Sequence, residues 1–186
     1  MKLNIRSVSQ AAIIAALYCA LTLVIAPIAF GPLQFRVSEA LMLLTACMPA
    51  AIPGVTLGCF LANLLNPNNL GPIDIFGGTL ATFLAAILTY ALGRRFFSDA
   101  GNTKKLWSRP GFYLLPLPSI ICNGLIVGVY LTPLLLGSGE AWTWGLTLTN
   151  MGIFSVCEAV VVYVLGLPLL VALRSAQTRE ILGFSV

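Results

Sequence analysis

The chain has 186 residues, of which 59% are hydrophobic and only 9% are charged. A water-soluble domain of this size needs far more charge to cover its surface, so the composition excludes an ordinary soluble protein. The net charge of +4 comes from ten basic and six acidic residues, and the distribution of the basic residues favours a signal for membrane orientation over a nucleic-acid patch.

Six apolar segments follow one another along the chain, and each is a candidate membrane-spanning helix, which needs about 20 mostly apolar residues, or fewer within a bundle. The first is too long and too rich in alanine for a cleaved signal peptide, so it is expected to be a permanent span. The second and third are short, and Pro49 and Pro53 predict a break between them. The sequence therefore predicts an all-α membrane bundle of six transmembrane helices that forms a single domain over residues 1–186. The predicted spans are 8–29, 37–50, 51–66, 73–93, 115–136 and 150–173.

The basic residues predict the orientation of these spans. With the N-terminus inside, nine of the ten Lys and Arg residues fall in cytoplasmic segments, and only Arg36 does not. Short cytoplasmic loops carry an excess of Lys and Arg, so both termini are expected in the cytoplasm. The nine residues are Lys2, Arg6, Arg94, Arg95, Lys104, Lys105, Arg109, Arg174 and Arg179.

Four charged residues lie at or inside apolar segments, where a charge at mid-bilayer costs about 2.5–3.5 kcal/mol. Arg36 and Glu39 begin the second segment and Asp74 begins the fourth, whereas Glu158 lies about 12 Å inside the sixth. Polar groups at one end of a bundle favour a ligand pocket open to the outside over an ion channel. The expected outer cluster consists of Arg36, Glu39, Asn63, Asp74, Asn150 and Glu158.

Each of these residues also has a purely structural alternative. Arg36 and Glu39 are spaced for an ion pair one helical turn apart. Asp74 is placed for the first turn or the cap of a helix, and Glu158 for a hydrogen bond to another helix. Aromatic residues near the same side suit either stacking on a flat ligand or an interfacial belt. These aromatic residues are Phe35, Phe76, Tyr130, Trp142 and Trp144.

Small residues recur every four positions in several segments. Ala12, Ala16 and Ala20 give the first helix a smooth stripe, which lets another helix approach closely in lipid. Gly54 and Gly58 repeat the spacing in the third segment, where packing within the bundle is the simpler interpretation. For the stripe on the first helix, an external partner helix is the alternative.

The sequence has none of the motifs that would indicate an enzyme. It lacks the G-x-x-x-x-G-K-[ST] and G-x-S-x-G patterns, and it has no histidine to serve as a base. Its five cysteines form no C-x-x-C pair and fit packing positions. We therefore expect no enzymatic activity, no metal and no cofactor, and any transport role needs energy from elsewhere.

Three motifs in order between residues 34 and 82 carry a family resemblance. They are Gln34-Phe-Arg-Val-Ser-Glu-Ala-Leu41, then Gly54-x-x-x-Gly58-x-x-x-Ala62-Asn63, then Gly71-x-x-Asp74 with Gly78-Thr-Leu-Ala-Thr82. The ordered set resembles the queuosine-precursor transporter (QueT) family, whose members are substrate-binding S components of energy-coupling factor (ECF) transporters. The resemblance covers most of the chain.

The resemblance implies a function and partners. An S component in the prokaryotic plasma membrane would capture a 7-deazaguanine base, such as 7-aminomethyl-7-deazaguanine or queuine, from outside the cell. A T subunit and two ATPase subunits would then drive uptake, with Ala12, Ala16 and Ala20 docking on the T subunit.

The chemistry of such a ligand suggests roles for the polar cluster. Glu158 or Glu39 would bind the N–H edge of the base, and Asp74 would lie near the amine. Asn63 or Arg36 would serve the ring carbonyl, although Arg36 could mainly hold Glu39 in place.

Two other functions stay open from the sequence. One is an S component for a different vitamin, because a few side chains set the ligand on a shared fold. The other is a small membrane enzyme or a structural subunit. Co-purification with a T subunit and ATPases would support transport, and substrate turnover by the isolated chain would support an enzyme.

Overall fold

A computed structural model describes residues 5–30, 33–67, 69–97, 108–136 and 141–173, and all regular structure in them is helical. Helix α1 (Ile5–Val24) is followed by the short α2 (Ala26–Ala29), a 3-10 helix (Val37–Ala46), α3 (Ala51–Leu65) and α4 (Pro72–Phe97). A second run contains α5 (Pro110–Leu114), α6 (Leu117–Cys122), a first π-turn (Asn123–Val127) and α7 (Gly128–Leu135). A third run contains α8 (Trp144–Val161), a second π-turn (Val162–Gly166) and α9 (Leu167–Leu173).

Four helices in the described part of the chain are long and apolar enough to cross a membrane. They are Ile5–Val24, Pro72–Phe96, Pro110–Leu135 and Trp144–Leu173. The 3-10 helix and α3 are apolar but only 10 and 15 residues long. Each predicted segment thus forms a helix, and the predicted break near Pro49 is present. That all six segments cross the membrane, with both termini in the cytoplasm, stays a prediction. Several basic residues used for orientation lie outside the described residues, namely Lys2, Lys104, Lys105, Arg174 and Arg179.

The 3-10 helix lies at the centre of the bundle. Every residue from Ser38 to Ala46 is buried, and the helix contacts α1, α3, α4, α8 and α9. Side chains in a 3-10 helix repeat every three residues, so Glu39, Met42 and Thr45 share one face. Because all faces are covered by other helices, the carboxyl group of Glu39 needs hydrogen-bond partners from the neighbouring helices.

Glycines in α3 allow α1 to pack very closely. A Cβ added at Gly54 would lie 2.9 Å from Cβ of Ile14, and one added at Gly58 would lie 2.9 Å from the carbonyl oxygen of Ala15. These distances are too short for a real side chain, so glycine is required for this approach. The two glycines therefore serve packing within the bundle. Tyr18, which lies against Gly58, is fully buried.

The last helical run begins earlier than the sequence predicted. Thr143 has an extended backbone and accepts a hydrogen bond from the Leu146 amide at 3.3 Å, the arrangement of an N-cap. Helix α8 consequently begins at Trp144 rather than at residue 150. Glu158 thus lies about 21 Å from the beginning of its helix, not about 12 Å.

Candidate functional site

The five polar residues predicted to bind substrate are all buried. Their exposed fractions are 0% for Glu39 and Asn63, 3% for Asp74, 4% for Glu158 and 5% for Arg36. They come from four different elements: the 3-10 helix with its preceding residue, α3, α4 and α8. Since burying an isolated charge is costly, the hydrogen-bond partners of each residue indicate its role.

Arg36 is held by α3. Its Nη2 donates to Oδ1 of Asn63 at 3.3 Å, and its Nη1 lies 4.0 Å from Sγ of Cys59. The ring of Phe30 covers the guanidinium with its centroid 5.2 Å from Cζ. The Nε atom has no hydrogen-bond partner among the described residues, so Arg36 is fixed in place but keeps one free donor.

Glu39 is held separately from Arg36. Its Oε1 accepts hydrogen bonds from the Tyr18 hydroxyl of α1 and, at 3.5 Å, from Oγ1 of Thr82 in α4. Within the described residues, no N–O distance of 4.0 Å or less joins Glu39 to Arg36, so the two do not form a salt bridge. They are linked indirectly, because Thr82 also lies 3.2 Å from the Cys59 sulfur.

Glu158 is anchored by the second helical run. It accepts a hydrogen bond from the Ser119 hydroxyl of α6, and Nδ2 of Asn123 donates to the same hydroxyl at 3.5 Å. Asn123 begins the first π-turn, a feature often found at functional sites, and its buried Oδ1 has no described partner. The other polar residue predicted in this region, Asn150, instead donates to Oγ1 of Thr132 at 3.1 Å and joins α8 to α7.

Arg36 and Glu158 line the same small cavity. The other described residues that line it are Gln34, Asn123, Val127 and Phe154. The centre of a water molecule has about 10 Å³ in which to lie, which is room for roughly one water. Of the residues that line this cavity, Arg36 has a donor and Asn123 an acceptor without a described hydrogen-bond partner, and Glu158 has a carboxylate.

Gln34 lines this cavity in an unusual backbone conformation. Its φ of +41° lies in the left-handed region, which a residue with a side chain rarely adopts. Such a conformation costs about 1–3 kcal/mol and persists only where the surrounding structure enforces it, most often near functional sites. The surrounding structure therefore fixes the backbone of the segment that leads into Arg36.

Asp74 lies beside the Arg36–Asn63 contact without lining the cavity. It is in the first turn of α4 and accepts a hydrogen bond from the Tyr130 hydroxyl at 3.2 Å. One turn later, a Cβ added at Gly78 would lie 2.8 Å from Nδ2 of Asn63 and 3.3 Å from the Tyr130 hydroxyl. The absence of a side chain at Gly78 is what allows these groups to converge.

Most of the aromatic residues considered for stacking lie away from this site. Trp142 and Trp144 are 44% and 66% exposed, as expected for an interfacial belt, and Phe76 is 65% exposed. Tyr130 contributes its hydroxyl rather than its ring face. Phe154, which the sequence did not single out, is the buried aromatic that lines the cavity.

The alanine stripe on α1 points out of the bundle. Ala12, Ala16 and Ala20 are all exposed, whereas Ala15 and Tyr18 face α3 and the 3-10 helix. The stripe is therefore available to a neighbouring helix and takes no part in the internal packing.

Comparison with known proteins agrees with the resemblance carried by the motifs. The sequence profile of the QueT transporter family matches residues 8–175. A curated relative, the queuosine precursor transporter QueT of Lactococcus lactis subsp. cremoris, is 38% identical over 90 residues. That match covers 47% of this chain and 52% of the relative, or about half the length of each, and no solved structure matches the chain. Because the family profile extends over all the helical segments described above except the beginning of α1, the chain belongs to the QueT transporter family.

Proposed function

We propose that this protein is the substrate-binding S component of an ECF transporter and captures a queuosine precursor from outside the cell. Its family membership supports a transport role for a precursor of this kind. The observation that carries the proposal is the small cavity lined by the buried residues Arg36, Asn123 and Glu158, since Arg36 and Asn123 each have a polar atom without a described hydrogen-bond partner. We further propose six crossings of the cell membrane with both termini in the cytoplasm.

The free groups of the cavity complement a 7-deazaguanine base. Glu158 would accept hydrogen bonds from the ring N–H and the amino group, while Nε of Arg36 would donate to the ring carbonyl. Oδ1 of Asn123 would accept a further N–H from the base. Hydrogen bonds to charged groups contribute about 1.5–3 kcal/mol each. A site with these buried groups would reject analogues that leave them unpaired.

The other two carboxylates would have different roles. Asp74 accepts a hydrogen bond from Tyr130, whose hydroxyl lies near Asn63 across Gly78. This position supports pairing of Asp74 with an aminomethyl cation on the ligand. Glu39 does not line the cavity and already accepts hydrogen bonds from Tyr18 and Thr82. Its role would be to hold the polar cluster together rather than to bind the base edge.

Binding a two-ring base would require the cavity to widen. Its present size accommodates roughly one water, so the helices that line it would separate as the ligand enters. A change of this kind is an induced fit, in which ligand contacts offset the cost of moving packed side chains.

Energy for uptake would come from partner subunits. The sequence has no Walker motif, so a T subunit and two ATPases would drive transport. The exposed stripe of Ala12, Ala16 and Ala20 supports docking on the T subunit, because small residues permit close packing of helices within lipid.

Equilibrium titration of the purified protein tests the proposed ligand. We expect saturable binding of 7-aminomethyl-7-deazaguanine or queuine, and no binding of thiamine at the same concentrations. Tight binding of another vitamin with no response to either deazaguanine would support an S component for that vitamin instead. Chemical conversion of a ligand by the isolated chain would support an enzyme.

A further inference from the structure

A groove separate from the substrate cavity lies on the outside of the bundle, between α4 and the helical run that begins at Pro110. Its volume is about 500 Å³, and nearly all of its lining is apolar. One wall extends along α4 from Leu88 to Arg95, and the other extends from Leu114 to Cys122. At 1.5 Å per residue each wall is about 10–12 Å long, so the groove follows the helices rather than crossing them.

The groove has a cation at one end. Arg95 lines it, is exposed and lies in the last turn of α4. Its guanidinium has no hydrogen bond, ion pair or ring contact with any other described residue. Arg109 lies at the same end of the bundle, because its Nη1 donates to the carbonyl oxygen of Phe96 at 3.5 Å. Positive charge therefore accumulates where the apolar groove meets the end of the membrane-spanning helix.

The walls of the groove suit a hydrocarbon chain. Leu88, Leu117 and Ile121 are 49%, 37% and 52% exposed, although all three are apolar. In a membrane, such side chains face lipid. An arginine at a helix end extends its guanidinium toward the interface while its methylene chain covers apolar surface. Guanidinium groups bind phosphate with paired, charge-assisted hydrogen bonds.

A second exterior groove provides an internal comparison. It lies between α3 and α4, has a similar volume of about 540 Å³ and is lined by residues such as Ile52, Phe60 and Phe83. None of the described residues that line it is charged. Its apolar walls can contact acyl chains, but they offer nothing that distinguishes one headgroup from another.

We propose that the groove ending at Arg95 is a binding site for an anionic phospholipid. The lipid phosphate pairs with the Arg95 guanidinium, and an acyl chain lies along the wall between Leu117 and Ile121. Arg109 adds to the local positive potential without lining the groove. The groove between α3 and α4 binds lipid without headgroup preference.

Native mass spectrometry of the purified full-length protein tests this proposal. The probes are phosphatidylglycerol and phosphatidylcholine with identical acyl chains, added in equal amounts. We expect preferential retention of phosphatidylglycerol, and Arg95→Gln should reduce that preference about fivefold, the usual effect of one basic group near anionic lipid. The matched control is Arg94→Gln, which removes the same charge one residue away. Arg94 lies over the ring of Tyr90 and does not line the groove.

Three results would overturn the proposal. Equal retention of the two lipids by the unmodified protein would show that the protein has no headgroup preference. An equal effect of Arg94→Gln and Arg95→Gln would mean that general surface charge, not this groove, selects the lipid. Cross-linking of a photoreactive residue at position 117 to a partner subunit in the assembled transporter would mean that protein covers the groove.

Discussion

Arg36 donates a hydrogen bond to Asn63, 27 residues away in the sequence, and does not form a salt bridge with Glu39, three residues away. This contact keeps Arg36 at the wall of the cavity that Glu158 also lines. Glu39 is instead held by Tyr18. Arg36 and Glu39 are thus close in sequence but lie in different surroundings. Substitutions near the cavity should therefore change ligand affinity, and substitutions around Glu39 should change stability.

Replacing the carboxylate in the cavity should weaken ligand binding. Glu158→Gln preserves the size of the side chain but removes its charge and one acceptor. We expect the dissociation constant of 7-aminomethyl-7-deazaguanine to rise about 10- to 150-fold, the equivalent of one charged hydrogen bond. Isothermal titration calorimetry measures the change. Asn150→Ala on the same helix should alter affinity by no more than about twofold, since Asn150 does not line the cavity. Equal effects of the two substitutions would contradict this assignment.

Removing the Tyr18 hydroxyl should destabilise the fold. Tyr18→Phe takes a donor from the fully buried Glu39, whose Oε2 already lacks a partner among the described residues. We expect the free energy of unfolding to fall by about 1–3 kcal/mol, measured by denaturation in mixed micelles.

The control for this substitution is Tyr163→Phe. Tyr163 donates to the carbonyl oxygen of Tyr113 at 2.8 Å in a more exposed position, so its loss should cost less than about 1 kcal/mol. Adding Glu39→Gln to Tyr18→Phe should recover part of the lost stability, because the buried charge is removed. If the double variant is less stable than Tyr18→Phe alone, the proposed role of the hydroxyl is wrong.

A side chain at Gly78 should disturb the polar cluster. In Gly78→Ala the new methyl group would lie 2.8 Å from Nδ2 of Asn63, so Asn63 must move away from Arg36. We expect a loss of about 1–3 kcal/mol in stability, with weaker ligand binding. Gly152→Ala in α8 has no atom within 4 Å of the new methyl group and should be neutral or stabilising by up to about 1 kcal/mol. Thermal unfolding of both variants would show the difference. Unchanged stability of Gly78→Ala would contradict the close approach of Asn63 to Gly78.

Enlarging the alanine stripe should block assembly without affecting the ligand. Ala16→Leu adds bulk to the exposed face of α1, where close helix packing would be prevented. We expect loss of co-purification with the T subunit and an unchanged affinity for the base. Ala172→Leu, the same enlargement at an exposed position in α9, should leave assembly intact. Normal assembly of the Ala16→Leu variant would exclude this docking surface.

The sequence predicted the helical segments because long apolar runs and the prolines near residue 50 are local signals. It did not predict the 3-10 geometry of Val37–Ala46, since a helix buried on every side has no amphipathic period. The early beginning of α8 was missed because most of its first residues, Trp144 and Leu148 among them, are exposed, and its threonines also fit a loop.

Four of the five predicted site residues were recognised by their charge, whereas the residues that hydrogen-bond to Glu39 and Glu158 were not predicted. Tyr18, Ser119 and Asn123 are uncharged residues inside apolar segments, where neither composition nor spacing distinguishes a hydrogen-bond donor from a packing residue. Ser119 contacts Glu158 across 39 positions in the sequence. Such contacts depend on how the helices pack together and are visible only in three dimensions.

The most direct test of the central claim is mass spectrometry of small molecules that remain bound to the purified protein. The proposed function predicts a 7-deazaguanine base in samples of the unmodified protein, and much less of it in Glu158→Gln at equal protein concentration. Retention of a different vitamin, or of the same amount of deazaguanine by Glu158→Gln, would contradict it.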